Sequence, residues 1–498
     1  MPTSPQSPPD SDAQDAFRAD SLAIGMAVML AITVIQRAVG FFRGVWFCRL
    51  MDDDVLGQWS MAQTFLVLIT PVMLLGIPGC LPRFVEHFRR REQLGGFVRR
   101  IVQATLVCTA VCLGAMVASP SSFGWIIFAN PGATSLVHGV VLAVTSTIVF
   151  NFFNDLNSSL RQVKVVSLMQ FAQSLLLTVL GIVHLSRGGQ LSGLLVCYSV
   201  ATLLAIAPGA WSIRRGWRRL PPQQSRLDTG AMWRRLLPYA FALWMMNLVG
   251  NLFEMSDRYM ILHFMPGGSE AGQSAVGQYH SARIFPTLLL SLGTMVSGVL
   301  MPYLTADWEA GNRDAVRARL KQVVLGLSAL FTLGAAVVVW IAPWMFDNLL
   351  QGRYSDGLVL MPMAVVFCIW TAIVTVGQDY LWVAEKGRSV AIALAVGLVV
   401  NLILNVWLMP THGLAGAVIA TLVANAVVMV GVWYLMMHHG YRLDIADVMA
   451  GLMPAALLLG PHVAVCSVLA ALVSTGQLTT ISHQVAGWRW STKLSPES

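Results

Sequence analysis

Charge is scarce in this sequence. Asp, Glu, Lys and Arg make up 11% of its 498 residues, against 56% hydrophobic residues. A soluble protein carries roughly a quarter charged residues, so a chain folded in water is excluded. Paired cysteines are also missing. Cys48, Cys80, Cys108, Cys112, Cys197, Cys368 and Cys466 fall in or beside apolar segments, and none forms a CxxC pair. They read as small packing residues rather than disulfide or metal ligands. No Walker A loop occurs, which excludes ATP hydrolysis by this chain. The loops are short and basic and hold no acidic pair of the kind a membrane glycosyltransferase uses to bind metal. His138, His184 and His280 stand alone without metal spacing and read as structural. The chain is expected not to be an enzyme.

What remains is apolar and long. Stretches of about 20 apolar residues recur, the length a bilayer core demands of a helix. Thirteen spans are expected, at 22–48, 56–80, 101–118, 134–152, 166–185, 191–211, 237–263, 275–301, 320–342, 358–382, 390–409, 413–436 and 448–473. The fold class is an all-α polytopic membrane protein. Residues 1–19 are polar and rich in Pro, Ser and Asp, and read as a disordered tail. They lack the basic region of a signal peptide, so the first span is expected to stay.

The formal charge of +8 lies in alternate loops. Arg83, Arg89, Arg90, Arg91, Arg99 and Arg100 follow span 2. Arg214, Arg215, Arg218, Arg219, Arg226, Arg234 and Arg235 follow span 6, and Arg313, Arg317, Arg319 and Lys321 follow span 8. The intervening loops hold Asp52, Asp53 and Asp54, Glu270, and the single cations Arg187 and Arg353. This alternation places the basic loops and the N-terminus in the cytoplasm. It argues for membrane topology, with attraction of anionic headgroups, and against a nucleic-acid partner.

The chain repeats itself. Val55-Leu56-Gly57-Gln58-Trp59 and Ala275-Val276-Gly277-Gln278-Tyr279 match at an offset of 220 residues, which also carries Pro82 onto Pro302. Gly193 matches Gly416 in spans 6 and 12, and Arg161 and Lys164 before span 5 resemble Lys386 and Arg388 before span 11. Spans 1–6 thus map onto spans 7–12. Six spans per half give both halves one orientation, related by a pseudo-twofold axis along the membrane normal, with a substrate path on that axis. The expected divisions are a tail at 1–19, an N-lobe at 20–211, a basic linker at 212–236 turning at Pro221–Ser225, a C-lobe at 237–437, and an extra helix with its tail at 438–498.

Ionisable residues within spans cost several kcal/mol unless they meet water or a partner. Arg37 and Arg43 lie in span 1, Glu254, Asp257 and Arg258 in span 7, and Arg283 in span 8. Asn247, Asn251, Glu254 and Arg258 share one helical stripe, expected to face the cleft. The arginines and the two asparagines are the candidate substrate-binding set, since a guanidinium fork suits phosphate oxygens. Glu254 and Asp257 are the candidate ion-coupling acids. No cofactor is expected beyond a proton or sodium gradient. Glu254 and Arg258, at i and i+4, are equally able to pair with each other. Asp379 reads as an interfacial residue. Pro71, Pro78, Pro286 and Pro362 are expected to kink their spans. Asn401 and Asn405 form another polar i, i+4 pair.

Gln36-Arg37-Ala38-Val39-Gly40-Phe41-Phe42-Arg43 with Leu56-Gly57-Gln58-Trp59 resembles polysaccharide flippases. So do Ser256-Asp257-Arg258 with Val276-Gly277-Gln278-Tyr279, and Asn405 with Leu414-Ala415-Gly416-Ala417. These are Wzx-like proteins of the multidrug/oligosaccharidyl-lipid/polysaccharide exporter superfamily. The resemblance covers about residues 20–440. It implies a bacterial inner-membrane protein of 12 or 14 spans that moves undecaprenyl-diphosphate-linked oligosaccharide outward by alternating access, for O-antigen or exopolysaccharide. Its implied partners are membrane lipids, the lipid-linked oligosaccharide, and a polysaccharide polymerase with its chain-length proteins. It puts Arg37, Arg43 and Arg258 where such proteins carry cleft cations. A multidrug exporter, a lipid II flippase and a non-transporting scaffold are the competing readings.

Overall fold

The computed structural model describes residues 22–89, 91–218 and 228–475, with side chains from residue 31. The expected tail at 1–19, the turn at Pro221–Ser225, and Arg90, Arg219 and Arg226 lie outside the described residues.

Helix follows helix: α1 (Leu22–Leu50), α2 (Asp53–Leu74), α3 (Leu81–Arg89), α4 (Leu94–Ala118), α5 (Pro120–Phe128), α6 (Thr134–Ser159), α7 (Val163–Ser186), α8 (Leu191–Ala205) and α9 (Ala207–Trp217). Then come α10 (Thr229–Phe264), α11 (Gly268–Glu309), α12 (Arg313–Trp344), α13 (Ser355–Gly377), α14 (Asp379–Val383), α15 (Gly387–His438), α16 (Ile445–Ala455) and α17 (Pro461–Ser474). No strand occurs among the described residues. Ten helices among them are long and apolar enough to cross a membrane. In apolar surroundings the backbone must satisfy its own hydrogen bonds, and helices do so within one segment.

Each expected span falls on helix. Spans 11 and 12 are both within α15, which is broken at Gly413 (φ 56°, ψ −134°), a backbone shape suited to glycine. A Cβ on Gly416 would sit 2.6 Å from the Leu408 oxygen, and one on Gly431 would sit 3.9 Å from the Ala393 Cβ. Both pairs are centred on residue 412, so the two halves fold back on each other. Span 13 is broken by Gly460 (φ 120°) into α16 and α17. Asp444 caps α16 through the amides of Ala446 and Asp447, and Asp447 returns a bond to the Asp444 amide.

The chain forms two compact units. The first holds the described residues to His263 together with Gly267–Gly277, and the second holds Phe264–Pro266 and Gln278 onward. In the first, α1 packs along α7, and α8 packs on α6 and α7. Helix α10, the expected opening span of the second repeat, packs here too. In the second, α13 packs on α15, and α12 carries α13, α16 and α17. Trp370 Nε1 donates to the Gly451 oxygen at 2.8 Å and Ser328 Oγ to the Ala450 oxygen at 2.6 Å, which ties α16 into this unit.

Two short helices were not foreseen. Helix α3 lies in what reads as an arginine-rich loop. Leu81, Phe84, Val85 and Phe88 form its buried face, at the i, i+3, i+4, i+7 spacing of an amphipathic helix. They join Ile77, Phe97 and Ile101 with Met232, Leu236 and Ala240 of α10 in one apolar cluster. Phe88 stacks on Phe97 with centroids 4.4 Å apart. The cations stay at the rim, where Arg83 lies over the Tyr239 ring at 4.7 Å. Arg235 donates to His87 Nε2 at 3.4 Å. Burial, with Arg91 and Arg235 nearby, holds the His87 imidazole below its usual range. The other unforeseen helix is α5, whose last residue supplies the Phe128 oxygen that accepts from Gln273.

Candidate functional site

The polar stripe of α10 lies against α2. Arg258 is half-buried and donates to Thr64 Oγ1 at 3.3 Å, and Asn251 Nδ2 donates to the Val67 oxygen at 3.4 Å. Thr64 and Val67 are three residues apart on one face of α2, so they meet residues seven apart on α10 as two antiparallel-facing stripes. Asn247, one turn before Asn251, is exposed. Glu254 is exposed and makes no ion pair among the described residues, so its i, i+4 pairing with Arg258 is not formed. Asp257 points the other way and is 1% exposed.

The two arginines of α1 behave differently. Arg43 is half-buried and donates to Ser174 of α7, to the backbone oxygen and to Oγ, each at 3.4 Å. It is spent on holding α1 to α7. Arg37, nearly two turns earlier, is exposed and makes no hydrogen bond or ion pair among the described residues. A guanidinium on an apolar helix without a partner is costly, and it is available to an anion.

Arg283 belongs to the second unit. It is 6% exposed, donates to the Tyr279 hydroxyl at 3.3 Å, and lies 5.3 Å from the centroids of both Tyr279 and Phe367. Both rings lie within cation–π range of it. Its repeat counterpart Gln63 is a neutral amide whose Nε2 is buried without a partner among the described residues. Asp379, expected at the interface, is instead 4% exposed.

Beyond the stripe, the repeated motif makes its own contact. A Cβ on Gly57 would lie 1.8 Å from the Gln273 oxygen, and a Cβ on Gly277 would lie 1.9 Å from the Asp53 oxygen. At the repeat offset Asp53 becomes Gln273 and Gly57 becomes Gly277. The two contacts are therefore one contact made twice with the roles exchanged, as a twofold axis through the crossing requires. Gln58 Nε2 donates to Gln273 Oε1 at 2.7 Å, Gln273 Nε2 to the Phe128 oxygen at 2.7 Å, and Ser274 Oγ to Asp53 Oδ2 at 2.5 Å. Sequence reasoning found the glycines but not these partners. The signal was there, since Asp53 and Gln273 each stand four residues before their glycine. Near this end, α1, α2, α6, α7 and α8 border an open pocket of about 550 Å³ lined by Asp52, Gln58, Ser135 and Gln190 among others. None of the candidate arginines lines it.

Arg37 and Arg258 thus present cations on apolar helices, while Arg43 is bonded to α7 and Arg283 lies against two aromatic rings. The sequence model of polysaccharide biosynthesis proteins matches residues 22–307. The fold is shared with the lipid II flippase MurJ in an inward closed conformation, at a TM-score of 0.68 and 13% identity, covering 92% of this chain and 99% of that one. It is shared with an inward-facing multidrug resistance transporter of the MATE family of the MOP superfamily, at a TM-score of 0.59 and 15% identity, covering 83% and 98%. An outward-facing structure of such a transporter matches at 0.54 and 14% identity, covering 86% and 98%. No curated protein sequence gives a significant match.

Proposed function

Because the chain belongs to the family of polysaccharide biosynthesis proteins, membrane transporters and not enzymes, we propose that it flips undecaprenyl-diphosphate-linked oligosaccharide from the inner to the outer leaflet of the bacterial cytoplasmic membrane. The observation that carries this reading is Arg37, an exposed cation on an apolar helix with no acid beside it. A diphosphate supplies what a guanidinium fork lacks there, paired oxygens of opposite charge. Arg258 is the second ligand, released from Thr64 when substrate arrives. Arg43 and Arg283 orient the helices that carry the site, and Asn247 and Asn251 meet the polar headgroup. The lipid tail stays in the bilayer while the headgroup crosses. The basic loops and the N-terminus face the cytoplasm. An ion gradient acting through Glu254 or Asp257 gives direction, and a polymerase with its chain-length proteins receives the product.

The test uses a fluorescent undecaprenyl-diphosphate oligosaccharide in proteoliposomes under imposed ion gradients. Wild type transports it. Arg37→Ala and Arg258→Ala lose at least about tenfold in rate, since a charge-assisted hydrogen bond is worth about 1.5–3 kcal/mol. No transport by wild type, or unimpaired transport by both variants, overturns the assignment.

Two neighbouring readings are each separated by a measurement of their own. The likeness to MurJ favours a lipid II flippase, which shares the diphosphate and is told apart by offering lipid II. The likeness to MATE transporters favours drug export. Against it, the intramembrane set of four arginines and three acids, Asp379 included, suits an anion better than a cation, and drug susceptibility of a deletion strain decides.

A further inference from the structure

The second unit holds a buried acid that the export scheme does not use. Asp379 opens α14, directly after α13, and is 4% exposed. Its Oδ1 accepts a hydrogen bond from Ser297 Oγ of α11 at 3.0 Å. Its Oδ2 is buried and has no partner among the described residues.

The charged and titratable groups of the neighbouring elements are engaged elsewhere or exposed. On α11, Asp307 pairs with Arg319 at 3.1 Å and Glu309 is exposed. On α14, Tyr380 donates to the His439 oxygen at 3.1 Å. Glu385 and Lys386, before α15, and Arg388 in its first turn are exposed. On α13 the nearest titratable group is Cys368, buried about three turns away. Tyr441, whose ring meets Tyr380, donates to Asp447 at 3.1 Å. No cation among the described residues forms an ion pair with Asp379.

A carboxylate in this position would exchange its hydration for one hydroxyl donor, at a cost of several kcal/mol. A metal cation would need a ring of oxygen ligands, and the site offers one carboxyl and one hydroxyl. A proton needs a single oxygen, and Oδ2 is the one left over. We propose that Asp379 is a proton-binding site of this protein, with the proton on Oδ2 and Ser297 donating to Oδ1. Loading forms the Oδ2–H bond, breaks one O–H bond of a hydronium ion, and takes up one positive charge. Coupling of that proton to export rests on the flippase reading, whereas its binding does not.

The test is infrared difference spectroscopy of the purified full-length protein in lipid nanodiscs at neutral pH. Wild type shows a protonated-carboxyl C=O stretch that is absent from Asp379→Asn. Ser297→Ala keeps the acid but frees its carbonyl from the hydrogen bond, so the band moves to higher wavenumber. That shift carries the test if the Asn variant does not fold. A wild-type spectrum without the band, or a band unmoved by Ser297→Ala, overturns the proposal. No substrate is added, so failure of the flippase assay leaves this result standing.

Discussion

Helices α10 and α11 meet the rest of the first unit at two ends, in two different ways. At the Asp52–Asp54 end the contact is reciprocal: Gly57 on the Gln273 oxygen, Gly277 on the Asp53 oxygen. At the arginine-rich end the contact is of another kind. A Cβ on Gly76 would lie 2.4 Å from the Ala240 oxygen, but the repeat counterpart of Gly76 is Val296. There the closure rests on the Phe88, Phe97 and Leu236 cluster. The crossing is built on the repeated Gly57 and Gly277, and the other end on a cluster from the first half and α10. One end is fixed by backbone touching backbone, the other by side chains that can be trimmed.

The strongest way to break that contrast is a side chain at the crossing. Gly57→Leu and Gly277→Leu drive carbon into a carbonyl oxygen and should each abolish export, with protein still in the membrane. A single cysteine at Gln58 in a cysteine-free background should then label faster, because the helices part. Unchanged labelling would mean the crossing tolerates bulk. Next in size is Phe88→Ala, which empties a stacked site and should cost about 3–5 kcal/mol of stability. Its effect should appear in melting and expression, while export per folded molecule changes little. Thr64→Val is milder. It removes the hydroxyl that holds Arg258 and should alter substrate affinity within about tenfold, since a single hydrogen bond contributes about 0.5–1.5 kcal/mol.

The smallest effect lies away from both ends, at the cap of α16. Burial opposes the Asp444 charge, but Lys321 and the amides of Ala446 and Asp447 outweigh it and hold its carboxyl below the usual range. A lowered value means that the stabilisation is present above the unfolded carboxyl value, near 3.9, and is lost as pH falls through the folded one. Wild type should lose melting temperature on acidification in that window, and Asp444→Asn should lose less.

Much of the fold was legible because a bilayer asks one simple question of a sequence. The thirteen expected apolar spans all fall on helix, ten of the described helices are long and apolar enough to cross a membrane, and Val55–Trp59 with Ala275–Tyr279 revealed the repeat. The site was less legible, because spacing fixes which residues share a face and not what that face meets. Glu254 and Arg258 have the spacing of an ion pair, yet Arg258 reaches across to Thr64. Arg283 and Arg258 look alike in sequence, but Phe367, 84 residues further on, turns one of them into a packing element. Asp379 sits near a loop in sequence and is buried by Ser297 on a distant helix. Helix α3 was a different miss. Its apolar spacing was readable, but the arginines around it suggested a loop.

The corner at Gly413 has a consequence for biogenesis. It joins two apolar helices through a single non-helical residue, with only Thr411 and His412 as polar side chains beside it. During synthesis neither helix has a loop to rest on while the other is made. The pair must therefore leave the translocation machinery together, as a preformed hairpin, and a tag or glycosylation site inserted at that corner would arrest insertion rather than report topology.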